Sequence, residues 1–365
     1  MNPTALFLLR LLCSTALTHA AHNAVPTPVN PLRVPNMETT YMLPGAPSNP
    51  GFFSAFNVVL GALDFFDSSE FCMGLEVDFK ERGLYFDPAY GPNWWNYYFK
   101  PIHLSKEPCE SAHTILSYEQ TMLSLYAQYN MSAERGHALI EKYIKLKQPL
   151  QEKLDAFVDT HFKDRFIIGI HYRGTDKKSE APEIEYATIA KCITEELLQH
   201  PYAKIFVATD EAAFLQFMQE EFPEKIIALE AIRSADKTPV HTTSDNNGYT
   251  GQDCYKKGED AVLDCILLSK CSKLYKMASN LSDTSLKFNP SVPVVHLNKS
   301  YFEDTIKKQY SLVTALNTIL ALLSIYEQGK TEGLYPNFLL DTQQNWWDIL
   351  FEPLSVGTNP QPAYV

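Results

Sequence analysis

No two cysteines are spaced as CxxC and no histidine cluster joins them. A zinc site therefore has little support, because structural zinc needs such closely spaced ligand pairs. Positive charge is scarce as well: 31 Lys and Arg stand against 43 Asp and Glu, a net charge of -12. An acidic surface with a pI near 5.3 repels a polyanion, which excludes nucleic acid as a partner. A small phosphorylated ligand is still accommodated wherever a few cations gather. The apolar run Ala5–Leu17 is broken by Arg10. It falls short of the roughly 20 apolar residues that span a bilayer, so no transmembrane anchor is expected.

What is present is ordinary globular material. The chain has 365 residues, 45% hydrophobic and 20% charged, enough for two domains of common size. Residues 1–21 read as a secretory signal peptide, with Thr18, Ala20 and Ala21 near a cleavage point. The expected location is the secretory pathway: ER or Golgi lumen, periplasm, or outside the cell. Beyond that leader lie Cys72, Cys109, Cys192, Cys254, Cys265 and Cys271. An even number of cysteines in an exported chain permits up to three disulfides. Sequons occur at Asn130, Asn280 and Asn298.

Residues 22–50 hold seven prolines and little apolar periodicity, the composition of a linker or loose arm. The first folded unit is expected over 51–160, opening with a helix just after Gly51 and a strand over Phe71–Phe79. Ser132 can cap a helix carrying Leu139, Tyr143 and Ile144, and Pro149 should kink or end it. From Arg165 short apolar strands alternate with helices of ten or more residues. Strands are expected over 166–171, 203–208, 225–229, 273–276 and 292–296, with helices over 186–200, 211–220 and 258–271. That alternation makes a parallel, doubly wound sheet over 161–300. Ile306–Tyr326 reads as a closing helix within a C-terminal extension, 301–365, packing back on the first domain. An aromatic pattern recurs: Gly83-Leu84-Tyr85 precedes Asn93-Trp94-Trp95, and Gly333-Leu334-Tyr335 precedes Asn345-Trp346-Trp347.

Two segments carry candidate chemistry. In Ile168-Gly169-Ile170-His171-Tyr172-Arg173-Gly174-Thr175-Asp176-Lys177, an apolar strand delivers His171 and Arg173 to its carboxyl end. Ligands of open α/β sheets bind at that edge. Gly174 allows close approach, Arg173 offers a planar fork for phosphate oxygens, and Lys177 adds a point charge. In the second segment, Asp264 sits on an apolar helix face, where an unpaired carboxylate is costly and needs a partner. A strand, a polar turn with Ser279 and Asn280, and a helix start near Ser282 follow. Free backbone N–H groups at such a start attract anions.

These residues carry a family resemblance. IGIHYRGTDK resembles the donor-binding motif of the fucosyltransferase superfamily that includes α1,6-fucosyltransferases, NodZ enzymes and protein O-fucosyltransferases. DCILLSKCSKLYKMASNLS resembles its later motif, and Phe206–Asp210 resembles its strand ending in Thr-Asp. The resemblance spans roughly 165–298. It implies a GT-B fold, two Rossmann-like domains facing each other across a cleft. It implies GDP-fucose as donor, inversion at the anomeric carbon, and neither cofactor nor metal. No DxD motif is present. By resemblance, His171 and Asp264 contact the guanosine, Arg173 grips the diphosphate, and Ser279, Asn280 and Ser282 form the phosphate loop. Gly174, Thr175 and Asp210 complete the donor-binding set. Arg173 is followed by Gly174 where the α1,6 enzymes carry a second arginine, which puts that linkage in doubt.

Transfer needs a base for the acceptor proton, and Asp176, Glu180 and Glu183 are candidates beside Arg173 and Lys177. The acceptor is expected to be a glycan or glycoprotein. Asn57, Trp94 and Trp95 are candidates for its side of the site, since flat aromatic faces stack on sugars, though Trp is also a good core residue. Two other readings stay open: a GT-B transferase with another nucleotide sugar, and a secreted carbohydrate-binding protein without turnover.

Overall fold

The computed structural model describes residues 40–44, 51–67, 74–79, 84–102, 113–115, 120–175, 180–240, 251–301 and 303. The leader, the C-terminal extension beyond 303 with its closing helix and second aromatic copy, Asp176 and Lys177 lie outside them. Among the described residues no helix is long and apolar enough to cross a membrane.

The first unit is built on a parallel three-stranded sheet of order β2-β1-β3. Its strands are β1 (Thr40–Pro44), β2 (Gly74–Asp78) and β3 (His113–Ile115). The Pro-rich stretch expected as a loose arm thus contributes the central strand. Tyr41-Met42-Leu43 is a short apolar run of strand length, and the prolines punctuate it. Pro44 falls at its last position, past the register with β3, which ends at Met42↔Ile115. A missing N–H is tolerated there.

Helix α1 (Phe52–Asp67) follows Gly51, and the Phe52 N–H donates to the Tyr85 hydroxyl at 2.8 Å. That bond satisfies one donor the helix itself cannot use. A short helix α2 (Trp95–Tyr98) and α3 (Gln120–Tyr129) precede α4 (Ala133–Tyr143). Ser132 caps α4 by accepting from Arg135 N at 3.1 Å. Helix α5 (Gln148–His161) takes Pro149 in its first turn, where no N–H is needed, so the break falls over residues 144–147. Arg135 ties α4 to α1, with Nε 2.6 Å from Asp64 and Nη1 2.9 Å from Asp67.

The second unit is a parallel five-stranded sheet of order β6-β5-β4-β7-β8. Its chain order is β4 (Ile167–Tyr172), α6 (Tyr186–Gln199), β5 (Lys204–Thr209), α7 (Ala212–Glu221) and β6 (Ile226–Ile227). Then come α8 (Gly251–Ser269), β7 (Lys273–Lys276), α9 (Asn280–Phe288) and β8 (Val294–His296). The chain starts at the centre, winds one way through β5 and β6, then returns beside β4 as β7. The carboxyl ends of β4 and β7 therefore flank the switch point, where such sheets bind ligands.

Strand alternation sorts the β4 side chains between two faces. Ile168, Ile170 and Tyr172 pack with Ile189, Ile193 and Phe214 of α6 and α7. Ile167 joins the other core, which runs through α8 and on to Phe56, Leu60, Trp95 and Tyr98 of the first unit. Gly169 lies on that second face, pressed against Cys271. His171 and Arg173 continue the same alternation toward α8. Cys192, Cys254, Cys265 and Cys271 are free thiols, so at most one of the three disulfides that the count permits can form. Cys265, on α8, and Cys271, two residues past its end, are buried and donate to the Leu281 and Leu267 carbonyls. Cys72 and Cys109 lie outside the described residues.

Candidate functional site

The loop after β4 is organised by one carboxylate. Asp210, just past β5, accepts from Gly174 N through Oδ1 at 3.1 Å and from the Thr175 hydroxyl through Oδ2 at 2.6 Å. Arg173 Nε approaches the same Oδ2 at 3.8 Å, an ion-pair distance too long for a hydrogen bond. Gly174 has no room for a side chain: a Cβ there would run into Glu211 Oε2. Glu211 is buried, accepts from the Tyr186 hydroxyl at 2.6 Å, and faces Lys237 Nζ at 3.3 Å. Lys237 holds a left-handed φ of 67°, which costs a side chain of its kind roughly 1 kcal/mol or more. Its ammonium also lies 3.8 Å from Glu183. Lys237 thus ties the β4–α6 connection to the loop after β6.

On the other side of the switch point, Ser279 and Asn280 open α9 directly after β7. Asn280 Oδ1 accepts from Asn57 Nδ2 at 3.0 Å. Asn57 is fully buried on α1, so it fastens the first unit to the start of α9. Ser282 is also fully buried and donates to the Met277 and Ser279 carbonyls at 2.9 and 3.3 Å, closing its own turn.

Next to this helix start lies a cavity of about 80 Å³. It is lined by Gln128, Tyr129, Glu180, Lys276, Ser279, Asp283, His296, Asn298, Ser300 and Glu303, among others. Lys276 is buried at its floor and pairs with Asp283 at 2.6 Å. Burial, then the Lys276 charge, hold the His296 imidazole below its ordinary range, so it is neutral at pH 7. Of the candidate bases, Glu180 lines this cavity, Glu183 sits beside Lys237, and Asp176 lies outside the described residues.

His171 is buried at the end of β4, with its carbonyl accepting from Met277 N at 3.2 Å. Asp264, on α8, is 7% exposed. Its Oδ1 is buried with no hydrogen-bond partner among the described residues. Burial pushes its carboxyl up to about 8, against a downward pull from Arg233. Trp94 and Trp95 stand apart from these groups. They are 4% and 1% exposed and pack on Phe79 and Phe99, with ring centroids 4.7 and 4.5 Å apart.

The structure therefore brings Arg173, Gly174, Thr175 and Asp210 together and sets Ser279 and Asn280 beside the same switch point. The sequence reading did not single out Glu211, Lys276, Asp283, His296 or Arg233. Lys276 had a signal, a lysine closing an apolar strand, and Glu211 directly follows the Thr-Asp pair.

No protein-family description and no curated protein matches the chain. Solved structures do. The chain is similar to fucosyltransferases. NodZ from Bradyrhizobium shares 16% identity at a TM-score of 0.45, over 71% of this chain and 95% of that one. An α1,6-fucosyltransferase NodZ soaked with GDP-fucose shares 15% at 0.46, over 71% and 94%. POFUT1 in complex with GDP shares 11% at 0.41, over 72% and 99%. At such values the likeness says nothing of what this chain binds.

Proposed function

We propose that the chain is a glycosyltransferase that takes its sugar from a nucleoside diphosphate donor, with GDP-fucose the donor its motifs imply. The observation that carries this reading is the Asp210 bracket. One carboxylate fixes Gly174 and Thr175 and lies 3.8 Å from Arg173, all at the carboxyl edge of a doubly wound sheet. Across the switch point is the start of α9. A guanidinium and a helix N-terminus together neutralise a departing diphosphate. On that ground the transfer proceeds without a metal.

In the reaction the acceptor hydroxyl oxygen bonds to the anomeric carbon as the bond from that carbon to the β-phosphate oxygen breaks. The hydroxyl proton passes to a carboxylate, and the electron pair leaves with the nucleoside diphosphate. Attack from the face opposite the leaving group inverts the centre. Of the candidate bases, Glu180 is the one that lines the cavity, and it takes the proton. His171 and Asp264 lie on the face that receives the nucleoside. The acceptor is a glycan or glycoprotein, met in the secretory pathway to which the leader points.

The test is binding and hydrolysis of GDP-fucose against GDP-mannose, UDP-GlcNAc and UDP-glucose, with EDTA present, for wild type and Arg173→Ala. Selective GDP-fucose binding with slow, EDTA-insensitive hydrolysis that is lost in the variant is the expected result. No binding to any donor by the folded protein would sink the reading.

A further inference from the structure

The loop that follows β6 lies along one face of α8. Ile232 N donates to Asp260 at 3.0 Å, Lys256 donates to the Glu230 carbonyl at 3.0 Å, and Lys256 pairs with Asp260. One turn further along that face comes Asp264. Above it, Arg233 spends its two terminal nitrogens on its own loop, Nη2 to the Leu229 carbonyl at 2.9 Å and Nη1 to the Ala231 carbonyl at 3.2 Å. Those bonds hold the guanidinium in place. They leave Nε buried and without a hydrogen-bond partner among the described residues. Arg233 is the charge that acts most strongly on Asp264, yet its Nε makes no hydrogen bond to the Asp264 carboxylate. A buried donor and a buried acceptor of opposite charge on facing elements, both unsatisfied and kept apart, are costly in a closed core. They suit a planar group that enters between them and completes both.

We propose that Arg233 is a further specificity-determining residue of the nucleotide site, donating from Nε to the ring carbonyl of the donor's base while Asp264 accepts from the base's N–H groups. The proposal rests on the nucleotide-sugar reading above and adds to it the residue that reads the base. A carboxylate facing a guanidinium fits an edge that offers a carbonyl beside N–H donors. Guanine has that edge, with O6 next to N1–H and the 2-amino group. Hypoxanthine keeps the carbonyl and N1–H but lacks the amine. Adenine and 2,6-diaminopurine place an amine where the carbonyl should be, so Arg233 would face another donor. A site built for one polarity rejects the other, because its buried groups are left unpaired.

The test is calorimetric titration of the full chain with GDP, IDP and the diphosphate of 2,6-diaminopurine riboside, for wild type, Arg233→Gln and Arg233→Lys. Wild type should bind GDP about tenfold or more above the diaminopurine diphosphate, with IDP between them. Arg233→Gln should bring the GDP-to-diaminopurine ratio close to one, and Arg233→Lys should keep part of it. A purely structural arginine would weaken both ligands alike and leave the ratio unchanged, which would overturn the proposal. Equal binding of the two by wild type would overturn it without any variant. Failure of wild type to bind any nucleoside diphosphate would remove the nucleotide reading together with this refinement.

Discussion

The segments Trp94–Phe99 and His171–Thr175 are both largely buried, and they are buried for opposite reasons. In the first, rings fill space: Trp95 is 1% exposed, lies 4.5 Å from Phe99, and even its Nε1 is buried with no partner among the described residues. In the second, polar groups are held in fixed directions. Gly174 N and the Thr175 hydroxyl both go to Asp210, and a glycine keeps the loop clear of Glu211. One segment should therefore answer to substitution with its stability and the other with its rate.

The largest expected effect is on the aromatic side. Trp95→Ala should destabilise the fold by about 3–5 kcal/mol, read as a lower thermal midpoint, because it opens a large cavity among rings. Unchanged stability would remove Trp95 from the core and return it to the acceptor side. Arg173→Ala should do the reverse, costing about 100- to 1,000-fold in turnover with the midpoint almost unmoved. Retained turnover would take Arg173 out of the mechanism.

Gly174→Ala sharpens the contrast within the polar segment. The new methyl group meets Glu211, so the loop must shift, and a displacement of about 1 Å costs about 100-fold in rate. Glu211→Ala in the same chain should recover part of that loss; no recovery would mean that the strain lies elsewhere.

Asp264 adds a pH signature. Its carboxyl is raised by burial to about 8, so the protonated form prevails at neutral pH. Base N–H groups favour the ionised form. GDP affinity should therefore rise by about tenfold per pH unit up to pH 8 and then level off. The same shift has a stability sign. Because the folded pKa lies above the unfolded one, the group's contribution is fully present below the unfolded value near 4 and lost as pH rises through 8. Asp264→Asn should bind GDP poorly yet melt higher than wild type at pH 8. A midpoint below wild type there would contradict the burial argument.

The smallest effect is a mass shift. Asn280 bonds Asn57, and Asn298 is buried with its amide donating to Pro182 O and accepting from Ala278 N. Asn130 is exposed in the turn after α3. Expression through a glycosylating compartment should modify Asn130, abolished in Asn130→Gln, and spare the other two.

Much of this was legible in residue order alone. Apolar runs of four to six residues between amphipathic helices announce a parallel sheet, because strands covered on both faces must be apolar throughout. The β7 strand was read at its exact bounds, and Ser132 was read as a cap because a hydroxyl one residue before a helix has a local partner to find. The charged end of β4 was legible for the same local reason. The central strand at Thr40–Pro44 was hidden, since prolines around a short apolar run look like a linker until two other strands pair with it.

Local sequence thus determined the alternating elements of the second unit, the carboxyl-edge position of Arg173 and the need of Asp264 for a partner. Contacts between residues far apart in the chain decided the rest. Asp210 became the bracket of the β4 loop across 36 positions. Asn57 left the acceptor side to fasten α9 across 223. Glu180 and Glu183 parted, one to the cavity and one beside Lys237. Such choices depend on which element packs against which, and burial, not spacing along the chain, fixes what each polar side chain can reach.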